Sequence, residues 1–339
     1  MILATVDYFE PWYVQVIKAI VLFAIGLQLV PIVLIAERKI LGRMQHRFGP
    51  NRVGPFGAAQ PLADILKLLT KEQFRPKTSI GWLFAVAPVV SILTAVAAFA
   101  IIPFGRTQDI FGTKVGLYGV DLSIGPLYLF AFGAVAFYGI MLGGWASGSK
   151  YSFLGSMRAA AQLISYEVSQ GLALVGVVMT AQTLSLTGIV EAQSGMWYVV
   201  PQFVGFLIFL TASFAESNRA PFDLVEADAE LVGGYNTEYG GGRFASYYFA
   251  EYLNVIVISG VVTTVFFGGW LMPFGIHPPG WVDPFIVLAK MSFFAFLFIW
   301  VRATLPRLRY DQLMSFGWKI LLPLATVNAL VTAILVVST

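Results

Sequence analysis

Apolar residues in this chain come in long uninterrupted runs, with polar and charged residues pushed into the gaps between them. Eight runs, 14–35, 82–102, 127–145, 159–181, 197–215, 252–272, 284–301 and 316–337, each come near the length needed to cross a bilayer, which is about 20 residues. Hydrocarbon offers no water to backbone amides, so such spans form helices rather than open strands. The pattern predicts an all-α integral membrane protein: a polytopic bundle of about eight transmembrane helices forming one membrane domain over residues 1–339. Composition agrees, with 58% hydrophobic and 12% charged residues, roughly half the charged share of a soluble domain.

The placement of charge then predicts orientation, because Lys and Arg are retained on the cytoplasmic side. Loops 36–81, 146–158, 216–251 and 302–315, counted with their helix ends, hold seventeen of the twenty-one Lys and Arg residues. Loops of the other parity hold Arg106 and Lys114, while Lys18 and Lys290 lie inside spans. The four basic loops are therefore expected in the cytosol and both termini outside. Asp7 and Glu10 stand where a signal peptide would be basic, so the first span is expected to be retained. The net charge of +3 mostly expresses this asymmetry and gives no reason to invoke nucleic acid.

Loop 36–81 is too long and too basic for a simple connector. Inside it Leu62, Ile65, Leu66 and Leu69 recur at helical spacing, Asp64, Lys67 and Lys71 turn away, and Pro61 suits a first helical turn. This predicts a short amphipathic helix, which either lies in the membrane interface or packs its leucines on neighbouring spans. Residues 49–57 ahead of it are dense in turn formers and flanked by Arg38, Lys39, Arg43 and Arg47. That basic cluster enforces topology or binds lipid headgroups, the alternative being that it docks a soluble partner.

Missing residue types narrow the chemistry. With no Cys, the chain offers no thiolate for an iron–sulfur cluster, no disulfide and no thiol nucleophile. His46 and His277 fall on opposite sides of the predicted membrane, so they cannot share a metal. Gly233, Gly234, Gly240, Gly241 and Gly242 lack the Lys-Ser/Thr and the strand-to-helix setting of a phosphate loop. No metal ligand or catalytic residue is expected here, and any redox centre belongs to a partner.

Acids supply the candidate chemistry. Glu216, Asp223, Glu226, Asp228 and Glu230, five of eighteen carboxylates, fall within fifteen residues directly after an apolar run. Acids beside hydrocarbon are costly and point to proton or ion handling. Asp223 and Glu226 have the spacing of an N-cap and its N3 partner, yet capping leaves Asp228 and Glu230 beyond them unexplained. On a helix Asp223, Glu226 and Glu230 would share a face and repel one another, with only Arg219 nearby in sequence. Glu167 sits roughly 12 Å into the fourth span at helical rise, among Gln162, Ser165, Tyr166, Ser169 and Gln170. Glu251, with Asn254 one turn later, is placed at the cytosolic start of the sixth span. Lys18 reads most simply as a snorkelling side chain.

These residues resemble a family. The run from Glu216 through Arg219, Pro221, Phe222, Asp223, Glu226, Asp228 and Glu230 to Leu231 resembles the acidic quinone-site loop of the H subunit of bacterial NADH:quinone oxidoreductase, respiratory complex I, equivalent to mitochondrial NADH dehydrogenase subunit 1. Glu37-Arg38-Lys39, then Gln45 to Asn51, then Gly57 to Lys67 and Lys71-Glu72, is similar to that family's first cytosolic loop, and Ile164 to Val168 continues the likeness. One departure is Asp228, where the family usually has Glu.

The resemblance implies a translocase component of the bacterial cell inner membrane that joins electron transport from NAD-linked substrates to proton transport. It implies no cofactor bound by this chain, a quinone (ubiquinone, menaquinone or another) as substrate, and flavin and iron–sulfur clusters in partner subunits. Those partners would be hydrophilic iron–sulfur subunits of a peripheral arm at the cytosolic loops, and small and antiporter-like membrane subunits. It places Arg38, Arg47 and Asp64 near a quinone-entry cavity, with Glu226, Asp228 and Glu230 below the headgroup. Tyr166, Glu167 and Glu216, with Asp223 and Glu251, would form the coupling path. A membrane anchor of a related ion-translocating hydrogenase-type complex and a stand-alone secondary transporter are the alternatives. The chain shows no half-to-half repeat of the kind transporters carry.

Overall fold

The computed structural model describes residues 10–110, 112–223, 233–273, 276 and 278–338. The chain is a helical membrane bundle, as the apolar runs predict. Seven of its described helical segments are long and apolar enough to span a bilayer. They involve α1 (Trp12–Met44), α3 (Gly81–Ala100), α4 (Gly125–Ala146), α5 (Lys150–Ala181), α8 (Gly241–Phe266), α9 (Asp283–Thr304) and the final segment Tyr310–Ser338. Between them come α2 (Gln60–Thr70), α6 (Leu186–Ala192) and α7 (Phe203–Glu216). The final segment comprises α10 (Tyr310–Phe316), a π-turn at Gly317–Leu321 and α11 (Leu322–Ser338).

Helix α8 is the core of the bundle. Val255 through Phe266 are buried on every face, as expected of a helix that is hydrophobic all round, and α1, α2, α3 and α9 pack against it. Helices α1, α4 and α11 are peripheral, with Ile17, Ile20, Phe23, Leu127, Val135, Leu330 and Ile334 exposed on their outer faces. Close helix approach depends on small residues: a Cβ on Gly139 would meet Ser91 Oγ of α3, and one on Gly144 would meet Ser156 of α5.

Several helices outrun or fall short of the apolar runs that announce them. Helix α1 continues to Met44 through Glu37, Arg38 and Arg43, α5 starts at Lys150, and α8 starts at Gly241. Hydropathy registers where lipid would begin, whereas a helix continues as long as its backbone ladder holds. Glu251 therefore lies inside α8 rather than at its start. Helix α7 is shorter than expected at 14 residues, about 21 Å long. Ahead of it residues 198–202 form turns around Pro201.

An antiparallel hairpin, β1 (Pro103–Ile110) with β2 (Thr113–Tyr118), stands among the helices where the apolar pattern predicts no regular element. It is tied down by charge. The Arg106 side chain donates to both carboxylate oxygens of Asp283, at 2.8 and 3.1 Å, and Gly116 N donates to Glu10 Oε1 at 2.9 Å. Lys18 pairs with the same Glu10 at 2.8 Å and lies over the Tyr118 ring, so its ammonium group is held by an ion pair. Lys290 donates to the carbonyls of Phe267, Gly269 and Leu271 at 2.6–2.8 Å, satisfying acceptors left open where α8 ends.

Candidate functional site

At the end of the bundle that carries the basic loops, α1 and α2 meet through Arg38, whose Nη1 lies 2.5 Å from Asp64 Oδ2. Gln60 Nε2 donates to the other Asp64 oxygen at 2.9 Å. The structure thus joins two of the predicted cavity residues. Arg47 is not with them: its Nε donates to Gln45 on the exposed turn after α1. Helix α2 leaves Leu62, Leu66 and Leu69 exposed, so within this chain its apolar stripe is not packed on neighbouring spans. Glu226, Asp228 and Glu230 lie outside the described residues, as does His277.

One helix layer further in lies a charge cluster whose partners sequence reasoning does not connect. Arg219 is 6% exposed and Glu37 5%. Arg219 Nε lies 2.8 Å from Glu251 Oε1 and its Nη1 3.5 Å from Glu37 Oε1. Arg302 of α9 pairs with the same Glu37 oxygen. The Tyr252 ring lies beneath the Arg219 guanidinium, 4.2 Å away. Two arginines and two glutamates balance. Burial opposes the Arg219 charge, but Glu251, Tyr252 and Glu37 outweigh it and raise its pKa above the ordinary arginine value. The signal that could have found this cluster is Glu37 and Arg302 at span ends, next to the same layer as Arg219.

Deeper still, α5 and α7 bring Gln170 and Glu216 together, Gln170 Nε2 donating to Glu216 Oε2 at 2.6 Å. Glu167 lies half-buried one turn earlier on α5. Gln162 on the same helix donates to the carbonyls of Ala215 and Phe222, 2.7 Å each, stapling the end of α7 to the chain that leads into the acidic run. Asp223 ends that described stretch. Tyr166 is fully buried and its hydroxyl donates to Leu313 O at 2.8 Å, its ring against Phe222. With its hydroxyl hydrogen committed to that carbonyl, Tyr166 braces α5 against α10.

Two cavities lie beside the inner acids. One of about 40 Å³ reaches Glu251, and one of about 70 Å³ reaches Glu216 and Gln170. The charges therefore run inward from Arg302 and Glu37, through Arg219 and Glu251, to Glu216 and Glu167. Among the described residues no group of His, Cys, Asp and Glu has metal-holding geometry.

The chain is a multi-pass helical membrane protein with a row of ionisable groups leading from its basic end into its middle. The chain belongs to the NADH dehydrogenase family, whose family model matches residues 17–333. It is 52% identical to the first H subunit of the NADH-quinone oxidoreductase of Geobacter metallireducens, over 94% of this chain and 95% of that protein. The H subunit of the same complex from Syntrophotalea carbinolica is 52% identical, covering 94% of each chain. The Frankia casuarinae H subunit is 47% identical over 96% of this chain and 73% of its own length.

Proposed function

We infer that this chain is the membrane subunit of a proton-translocating NADH:quinone oxidoreductase, forming much of the quinone-entry cavity and coupling quinone reduction to proton translocation. Membership of the family and likeness to proteins named as H subunits of that complex support it. The observation that carries the coupling role is the row of charges that runs inward from the partly exposed Arg302 through the buried Glu37 and Arg219 to Glu216. Loops 36–81, 146–158, 216–251 and 302–315 face the cytosol, where hydrophilic iron–sulfur partners dock. The peripheral faces of α1, α4 and α11 meet lipid or the small and antiporter-like membrane subunits. Quinone is the substrate, and electrons reach it from flavin and iron–sulfur clusters held by those partners.

The residues of this chain bind and relay. The quinone tail enters past α1 and the exposed leucines of α2, Arg38 and Asp64 line the way, and Arg47 stands outside it on the exposed turn after α1. Glu226, Asp228 and Glu230 lie below the headgroup and feel the negative charge that reduction adds. Taking up protons there changes the field on Glu251, and Arg219 transmits the change because it pairs Glu251 with Glu37. Glu216 and Glu167 then receive a proton or lose one, while Asp223 links loop to path.

In the assembled complex, Glu167→Gln or Glu226→Gln is expected to impair quinone reduction and proton translocation together. Turnover is read from NADH oxidation and pumping from the proton-to-electron ratio in vesicles. Unchanged turnover and an unchanged ratio would sink the coupling role.

A further inference from the structure

Two asparagines wall both cavities at once. The 70 Å³ cavity lies between α3, α4, α5, α7 and α8, and the 40 Å³ cavity opens toward Glu251, Tyr235 and Tyr247. Asn218 and Asn254, with Ala136 and Ile140, belong to the walls of each. These four residues thus lie where the cavity that reaches Glu251 and the cavity that reaches Glu216 adjoin.

Asn218 follows α7 in the left-handed conformation, φ +50°, which Asn enters more readily than most side chains. Its Oδ1 is buried with no hydrogen-bond partner among the described residues, and Gln170 Oε1 in the larger cavity's wall is in the same position. Buried acceptors without a protein partner are satisfied by ordered water. Each cavity exceeds the roughly 10–15 Å³ that one water centre occupies.

We propose that Asn218 and Asn254 hold ordered water across the junction, and that Asn218 is the positioning residue that makes the hydrogen-bonded path from Glu251 to Glu216 continuous. This rests on the coupling role inferred above. A proton leaving the Glu251 carboxyl passes to the first water, which releases one of its own to the next. The last water protonates the Glu216 carboxylate. Each water gains one proton and loses one, so the path keeps no charge.

The bland alternative is that Asn218 only tolerates its backbone conformation. Asn218→Gly keeps that conformation and removes the amide, Asn218→Asp keeps an acceptor, and Asn254→Leu closes the junction from an ordinary helical position. In the intact complex reconstituted in vesicles, Asn218→Gly and Asn254→Leu are expected to lower coupled turnover about tenfold, the scale of one lost hydrogen bond in the transfer path. They should also raise the solvent deuterium isotope effect on quinone reduction, while Asn218→Asp restores both. NADH oxidation by a soluble acceptor that does not use the quinone site reports assembly. Wild-type turnover, proton ratio and isotope effect in Asn254→Leu and in assembled Asn218→Gly, with Glu216→Gln uncoupled, would overturn the path and leave the coupling role standing. A silent Glu216→Gln as well would overturn both.

Discussion

Arg219 is deprived of bulk water yet faces two carboxylates and an aromatic ring, and the three arms of its surroundings are not equivalent. Glu37 keeps Arg302 when Arg219 is removed, whereas Glu251 loses the ion pair that it makes with Arg219. Removing one partner of a buried pair costs about 3–5 kcal/mol, far more than the pair contributes net. Arg219→Gln is therefore expected to lower the thermal stability of the assembled complex more than Arg302→Gln, whose site is 35% exposed. Comparing the temperatures at which quinone reductase activity is lost checks the order, and equal losses would refute it. Because Glu251 and Glu37 raise the Arg219 pKa, its stabilisation is fully present below the ordinary arginine value. It is lost only above the raised one, so the Arg219→Gln deficit should be flat across neutral pH. Glu167, Glu216 and Glu251 stand out in sequence because acids are rare near apolar runs. Their partners do not: Glu37 is 182 residues from Arg219 and 265 from Arg302, separations that no periodicity encodes.

Among the elements, the helices were legible because hydrophobic burial in a bilayer is written directly into run length. The β1–β2 hairpin was not, since its short strands carry Gly and polar residues and it is anchored to distant parts of the chain by Arg106 and Glu10. The fully buried Asp283 opens α9, so Arg106 fastens the hairpin to that helix with a bidentate pair. Arg106→Ala would strand a buried carboxylate, a loss of about 3–5 kcal/mol, and is expected to lower the complex's thermal stability. Replacing both Arg106 and Asp283 by Ala should recover much of that loss, since no unpaired charge remains buried. A double variant no more stable than Arg106→Ala alone would show that the pair does not act as a unit. Helix α2 shows its amphipathic pattern in sequence, but only the fold shows that its leucines stay uncovered and that Asp64 is held by Arg38. The sequence alternatives for α2 thus narrow to an apolar stripe left exposed within this chain.

For the molecule as a whole, the distribution of cations makes orientation a measurable quantity. Seventeen of twenty-one Lys and Arg residues sit with one set of loops and two with the other, a bias that membrane insertion converts into topology. Because the chain has no Cys, single cysteines report one position each without removing native thiols. Lys150 and Arg309 are exposed beside basic loops, and Lys114 is exposed on the hairpin, across α3 from the first of those loops. A membrane-impermeant maleimide should label Lys150→Cys and Arg309→Cys in vesicles that expose the cytosolic face, and Lys114→Cys in vesicles of the opposite orientation. Detergent should equalise all three and so identify any position shielded by a partner. Labelling of Lys114→Cys from the cytosolic face would reverse the topology and place the Glu37–Arg219 entrance on the outer side, away from where quinone reduction and its protons are inferred to act. The coupling role therefore depends on the same asymmetry that the loops display, and this experiment tests the direction of the charge path independently of turnover.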